Sequence, residues 1–251
     1  MQILKLGGSA ITAKEQFMKA NKGNIAKLAK AIAKAWNSGV HDLIIVHGAG
    51  SFGHALVLKY KLDNGVRTMK EQEGCKKTQE ACAELSRLVV GALLKERVPA
   101  VSIAPHSIIV SNNKRIEMLD ESPIFDAIEK GEVPVLYGDM VMDSSLGFSV
   151  CSGDQIVAYP AKWADRVVMA SAVDGVMADG KVVRLITKKN FAEVAKHLKT
   201  SDKPDVTGGM AGKIKEIMGM GKPAFVVNAE KPERVVALLL GKRAVCTEIR
   251  L

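Results

Sequence analysis

Two stretches decide how this chain reads: Lys5-Leu6-Gly7-Gly8-Ser9 and, about forty residues on, His47-Gly48-Ala49-Gly50-Ser51-Phe52-Gly53-His54. Each closes a β-like apolar run (QILKL at 2–6, DLIIV at 42–46) and opens a helix-like one. A strand ending in glycines before a helix leaves backbone N–H groups at the helix N-terminus, where phosphate binds readily. Between the two stretches, Ile25, Leu28, Ala29, Ile32 and Trp36 recur at helical spacing from about Asn21 to Asn37, and Gly39 stops the run. A strand–helix–strand unit of this length makes its strands parallel, so both glycine loops open onto one crevice. Two phosphorylated ligands held face to face is the resulting hypothesis.

The whole chain sets bounds around it. Its 251 residues, 47% apolar and 25% charged, are those of an ordinary globular protein with a substantial core. No run of about eighteen apolar residues exists, so no membrane span is expected. The N-terminus lacks a signal-peptide pattern, which predicts a cytoplasmic location. Cys75, Cys82, Cys151 and Cys246 form no CxxC pair and read as reduced thiols used as small hydrophobes, with no protein metal site. The net charge of +9 comes without a basic run of five, and only 4% of residues are aromatic. That argues against nucleic acid and for small polyanions as ligands.

Further along, the patterns predict a helix over 72–97, a strand at Ala100–Ile103 and a hairpin at 107–118 around Asn112-Asn113. A helix at 122–130, a strand at Val133–Tyr137 and a second hairpin over 140–148 follow. Ser152-Gly153-Asp154 opens a helix to about Ala164 with a kink at Pro160. Then come a strand at Arg166–Ala170, a small hairpin at Asp179-Gly180, helices at 189–199, 210–220 and 231–240, and strands at Ala224–Val227 and Ala244–Ile249. One α/β domain over 1–251, a three-layer α/β/α sandwich with two loosely defined halves, is the expected architecture.

KLGGS at 5–9, HGAGSFGH at 47–54, GD at 138–139, SGD at 152–154, VDGV at 173–176 and DVTGGMAGK at 205–213 occur in the order and approximate spacing of the amino acid kinase superfamily. Within it the chain most closely resembles the isopentenyl phosphate kinases, a subfamily marked by the histidine that ends the second loop. Fosfomycin kinase shares that histidine. The resemblance implies a mainly parallel open sheet, an acceptor-binding half at about 1–150 and a nucleotide-binding half at about 151–251. It also implies ATP with Mg2+ and in-line transfer of a phosphoryl group to isopentenyl phosphate, in the isoprenoid-forming mevalonate pathway variant. A homodimer is what the superfamily suggests.

The site residues follow from both lines. Lys5 ends a buried strand, an expensive place for an ammonium unless an anion lies beside it; the resemblance makes it a contact of the transferring phosphoryl group. Gly7, Gly8 and Ser9 would offer backbone N–H groups to ATP phosphates, and Lys14 would steady transition-state charge. His54 would hold the acceptor phosphate, which is itself a ready nucleophile and needs no general base. Ala49 and Gly50 are expected as ligand-contacting backbone, although the family usually carries three glycines here and Ala49 departs from that. Gly153 would add an N–H to the acceptor phosphate, with Asp154 suiting the helix start and orienting the lysines. Asp139 either orients lysines or bonds loop backbone. Ser171 and Asp174 border the nucleotide, though relatives often have a threonine and an extra aspartate before the Val-Asp-Gly. Gly209 and Lys213 lie against ATP phosphates. His47 reads as structural, and His41, His106 and His197 carry no motif. With no carboxylate cluster in view, the nucleotide's phosphates would supply most Mg2+ ligands. Cys82, Leu85, Val89, Ile103 and Ile109 are candidates for an apolar pocket. The alternatives are a kinase for another small phosphate or phosphonate, such as fosfomycin, and a non-catalytic nucleotide- or RNA-binding module.

Overall fold

The run QILKL becomes the centre of the larger sheet. In the computed structural model, which describes residues 1–13, 16–178, 180–197 and 209–250, β1 (Gln2–Leu6) leads through the short α1 (Gly8–Ile11) to α2 (Lys22–Asn37) and β2 (Leu43–His47). Next come α3 (Gly50–Tyr60), α4 (Met69–Lys95), β3 (Ala100–Ser102), β4 (Ile109–Asn112), β5 (Arg115–Leu119) and α5 (Ser122–Glu129). They are followed by β6 (Val133–Tyr137), β7 (Asp139–Asp143), β8 (Gly147–Cys151), α6 (Gly153–Ala158) and β9 (Arg166–Ser171). The last third adds β10 (Met177–Ala178), β11 (Lys181–Val182), β12 (Leu185–Ile186), α7 (Phe191–His197), α8 (Gly209–Gly219), β13 (Ala224–Asn228), α9 (Pro232–Leu239) and β14 (Thr247–Ile249).

The eight-stranded sheet runs β12-β14-β13-β9-β1-β2-β6-β3, and only the β13–β14 pair is antiparallel. Alternation along the strands sorts the core into two layers. Leu4, Leu6, Leu43, Ile45, Val135, Val168 and Val227 point to one face, where α2, α3, α4 and α9 cover them. Ile3, Ile44, Val46, Leu136, Val167, Met169 and Val226 point to the other, against α5, α6, α7 and α8. Each fully buried aliphatic side chain contributes about 1.5–3 kcal/mol, and the result is the expected α/β/α sandwich around a mainly parallel sheet.

Local chemistry explains the boundaries. The Asn21 side chain accepts the Asn24 N–H at 3.1 Å and starts α2, while Gly39 leaves it at a φ of +97°. Thr68 and Glu71 close a reciprocal capping box that starts α4 three residues before the expected 72.

Several expectations are corrected. The helix from Ser152 does not reach Ala164: Pro160 lacks an N–H, so α6 ends at Ala158 and a 3₁₀ turn covers Pro160–Trp163. The closing strand is only Thr247–Ile249, and β12, too short to show a period, joins it at the sheet edge. The two expected hairpins pair with each other in a separate four-stranded sheet, β5-β4-β7-β8. Gly138 is the step between sheets, and its N–H donates to His47 O at 2.9 Å. Lys14, Asp179 and the 198–208 stretch with Thr207 and Gly208 lie outside the described residues.

Candidate active site

β1, β2, β6 and β9 lie side by side in parallel, so their C-terminal ends share one edge. There the two glycine loops meet backbone to backbone. A Cβ on Gly8 would fall 2.5 Å from Gly50 N and 2.7 Å from its Cα, and one on Gly48 would fall 2.6 Å from Gly8 N. Thr12 clasps both loops: its hydroxyl donates to Gly8 O at 2.8 Å and accepts the Ser51 N–H at 3.1 Å. Gly50 itself has a φ of +51°, where a side chain is strained. Ala49 is ordinary helical backbone (φ −69°, ψ −23°), so the departure from glycine costs no conformation there. Its methyl is turned toward Gly53, where a Cβ would come within 2.6 Å of it.

The Gly7 N–H is donated to Ala170 O at 2.7 Å, which carries the β1–β9 pairing into the loop. Gly8 and Ser9 are the first two residues of α1, so their own N–H groups have no acceptor within that helix. Gly153 opens α6 against the end of β2: a Cβ on it would lie 3.2 Å from His47 O and 3.4 Å from Lys5 Cε.

Charge gathers on the α6 side of the sheet. Lys5, 5% exposed, donates to Asp154 Oδ1 at 2.6 Å, and Lys213 from α8 reaches both Asp154 oxygens at 3.0 Å. The anion that a buried Lys5 requires is therefore Asp154. Burial, then the Lys213 charge, pushes Lys5 down to about 7, with Asp154 resisting the fall. Burial works to raise the Asp154 carboxyl, but Lys5 and Lys213 overcome it and hold it at about 2. Two cations sharing one carboxylate leave a net positive charge beneath the loops, suited to a polyphosphate.

The histidines separate clearly. His47 is fully buried, stacks on Tyr137 with centroids 5.4 Å apart and donates Nδ1–H to Gly48 O at 3.1 Å. Burial lowers it to about 4, so it stays neutral, as a structural residue should. His54 is half-buried on α3, at the fifth position of that helix.

Asp139 faces neither lysine. Its carboxylate meets His106 Nδ1 at 2.7 Å and its own neighbour's Met140 N–H at 2.9 Å. The hydrogen bond from His106 to Asp139 raises the imidazole, while burial raises Asp139. Nothing near His106 in the sequence signals this pairing, because His106 lies in a 3₁₀ turn and its partner is supplied by the start of β7, 33 residues on.

Asp174 is engaged by Asn228 Nδ2 at 2.9 Å, Arg234 Nη1 at 2.9 Å and Lys231 Nζ at 3.4 Å. Ser171 ends β9, with its hydroxyl buried and no partner for it among the described residues. Gly209 begins α8. Leu85 and Val89 are buried in the core layer of α2 and α4, and Ile103 and Ile109 in the opposite layer. Cys75, Cys82, Cys151 and Cys246 are free thiols. Among the described residues no three His, Cys, Asp or Glu side chains gather as a metal site.

Comparison with known proteins identifies the family. The model of the amino acid kinase family matches residues 1–228. Isopentenyl phosphate kinase of Methanocaldococcus jannaschii is 35% identical, with 96% of this chain and 96% of that protein covered. The enzyme of that name from Methanothermobacter thermautotrophicus is 36% identical, with 99% and 98% covered. An X-ray structure of isopentenyl phosphate kinase superposes with a TM-score of 0.84 at 33% identity, over 99% of this chain and 100% of that one. This chain belongs to the amino acid kinase family, in its isopentenyl phosphate kinase branch.

Proposed function

We propose that the protein transfers the γ-phosphoryl group of ATP to isopentenyl phosphate, giving isopentenyl diphosphate and ADP. The observation that carries this reading is the Lys5–Asp154–Lys213 cluster lying beneath two glycine loops in backbone contact. The name of the similar enzymes supports the acceptor. An oxygen of the acceptor phosphate attacks the γ-phosphorus as the bond to the β-phosphate oxygen breaks, and ADP leaves with the electron pair. The acceptor oxygen is already ionised, so no side chain need remove a proton. The protein's share is positioning and charge neutralisation.

Lys5 and Lys213 neutralise the migrating group, with Lys14 as a third cation and Asp154 fixing the first two. Gly8, Ser9 and Gly209 face the nucleotide phosphates, with Ser171 and Asp174 along its border; Ala49, Gly50 and Gly153 offer backbone to the acceptor phosphate. His54 donates a hydrogen bond to that phosphate. Mg2+, when bound, would be held mainly by the nucleotide's own phosphates and would offset part of their negative charge. The same reading assigns 1–150 to the acceptor and 151–251 to the nucleotide, within a homodimer in the cytoplasm. No described helix is long and apolar enough to cross a membrane.

The test is steady-state turnover with ATP and Mg2+ across isopentenyl phosphate, fosfomycin and other small phosphates. A kcat/KM advantage for isopentenyl phosphate of more than about tenfold is expected. His54→Ala should lower kcat/KM for the acceptor by about 100-fold or more, the scale of losing one oriented donor, with ATP affinity within about twofold. Near-normal rate and acceptor KM in that variant would refute the role of His54.

A further inference from the structure

Arg115 opens β5 immediately after a turn whose two residues, Asn113 and Lys114, have φ of +48° and +67°. The N–H groups of that turn donate to Asp143 at 3.1 and 2.8 Å, so the hairpin tip is tied to the neighbouring strand β7. From this anchored tip the Arg115 guanidinium reaches Glu216 on α8 with two nitrogens, Nη1 to Oε1 and Nη2 to Oε2, the second at 3.1 Å. Glu216 stands three positions after Lys213, so the two side chains are neighbours on one helix surface. Ile214 and Ile217 of the same helix are fully buried in the core layer beneath.

We propose that Arg115 is a positioning residue for phosphoryl transfer, acting through Glu216 to set the orientation of α8 and thereby the seat of Lys213 against Asp154. The inference rests on the kinase reading above and extends it to a residue that contacts no reacting group. Apolar packing holds α8 onto the sheet but leaves it some freedom to slide or roll. A two-pronged guanidinium–carboxylate pair removes that freedom, because both prongs align in only one direction. The arginine is 63% exposed, so the pair adds little to stability. Its effect lies in geometry, where a displacement of about 1 Å can cost as much as 100-fold in rate. The clasp also joins a hairpin from the acceptor side to a helix from the nucleotide side, so the two sides move together.

The experiment compares wild type with Arg115→Ala, Glu216→Gln, the double variant Arg115→Ala/Glu216→Ala, Arg115→Lys and the swap Arg115→Glu/Glu216→Arg. A matched control is Lys162→Ala, which removes a different surface pair, Lys162 to Glu121 at 3.0 Å, that does not touch α8. Either single loss should reduce kcat/KM for ATP by about tenfold, leave KM for the acceptor within twofold and move Tm by less than about 2 °C. The double variant should be no worse than a single one, Arg115→Lys should recover part of the loss, and the swap most of it. The control should stay within twofold of wild type. Arg115→Ala within twofold of wild type overturns the proposal. Multiplying single effects, or a loss that merely tracks a fall in Tm, overturns it too. Wild-type turnover is measured first, because its absence sinks the kinase reading alone; the clasp is then judged by calorimetric ATP affinity, where equal Kd for wild type and Arg115→Ala, or no binding by either, overturns it.

Discussion

Lys5 shows how much one buried charge can report. Its ammonium lies in the core with an anion on one side and a second cation close by, and it is pushed down to about 7 from 10.5. Below about pH 7 both folded and unfolded chains carry that proton, and the cost of burying it is complete. As pH rises toward 10.5 the unfolded chain loses its proton as well, and the cost disappears. Wild type should therefore gain stability relative to Lys5→Met between pH 7 and 10, measured by urea unfolding. A gap that does not change with pH would mean that Lys5 is not depressed. Residue chemistry was only half legible in the sequence. A lysine ending a buried strand announces that it needs an anion, but which anion depends on α6 reaching the same sheet edge. Asp139 and His106 make the same point more sharply, since neither residue's neighbours hint at the other.

At the scale of elements, glycines separate into those that packing demands and those it merely tolerates. Gly8 has backbone 2.5 Å from where a Cβ would go, whereas Gly91, inside α4, has nothing within 4 Å. Gly91→Ala should stabilise the protein by about 0.5–1 kcal/mol, because alanine restricts the unfolded chain and suits a helix. Gly8→Ala should cost about 1–3 kcal/mol through forced backbone shifts and abolish turnover. Chemical denaturation of both variants checks the pair; equal effects of one sign would refute it. The elements themselves were readable where periodicity ran long and a cap closed it, as in α2 between Asn21 and Gly39. They were unreadable where a single residue overrode the pattern, as Pro160 does after α6, or where a strand such as β12 had two residues and so no period to detect.

For the whole molecule, the parallel central sheet was legible because a buried strand, a helix and another buried strand allow few arrangements. The second sheet was not, since the pairing of β4 with β7 joins hairpins about thirty residues apart. Asp143 holds that sheet together by accepting N–H groups from Asn113 and Lys114 in one hairpin turn and from Ser145 and Leu146 in the other. Burial works to raise its carboxyl, but these N–H donors outweigh it and keep it below the usual range. A depressed carboxylate stabilises above its unfolded value and loses that contribution as pH falls through its folded one. Asp154, held at about 2, has the same sign. Stability should thus hold down to about pH 4 and fall steeply toward pH 2. Asp143→Asn should cost about 1–3 kcal/mol at pH 7 and less at pH 3, where wild type has begun to lose the same support. An equal difference at both pH values would remove Asp143 from this role.

The contact between the glycine loops has a further consequence for anyone trying to retrain the enzyme toward new acceptors. Because Gly8 and Gly50 touch through bare backbone, with Thr12 bridging them, neither loop can be varied alone. A library that randomises 48–50 while leaving 7–12 untouched would mostly sample jammed loops. The two segments form one mutational unit, and productive variants should arise as paired changes.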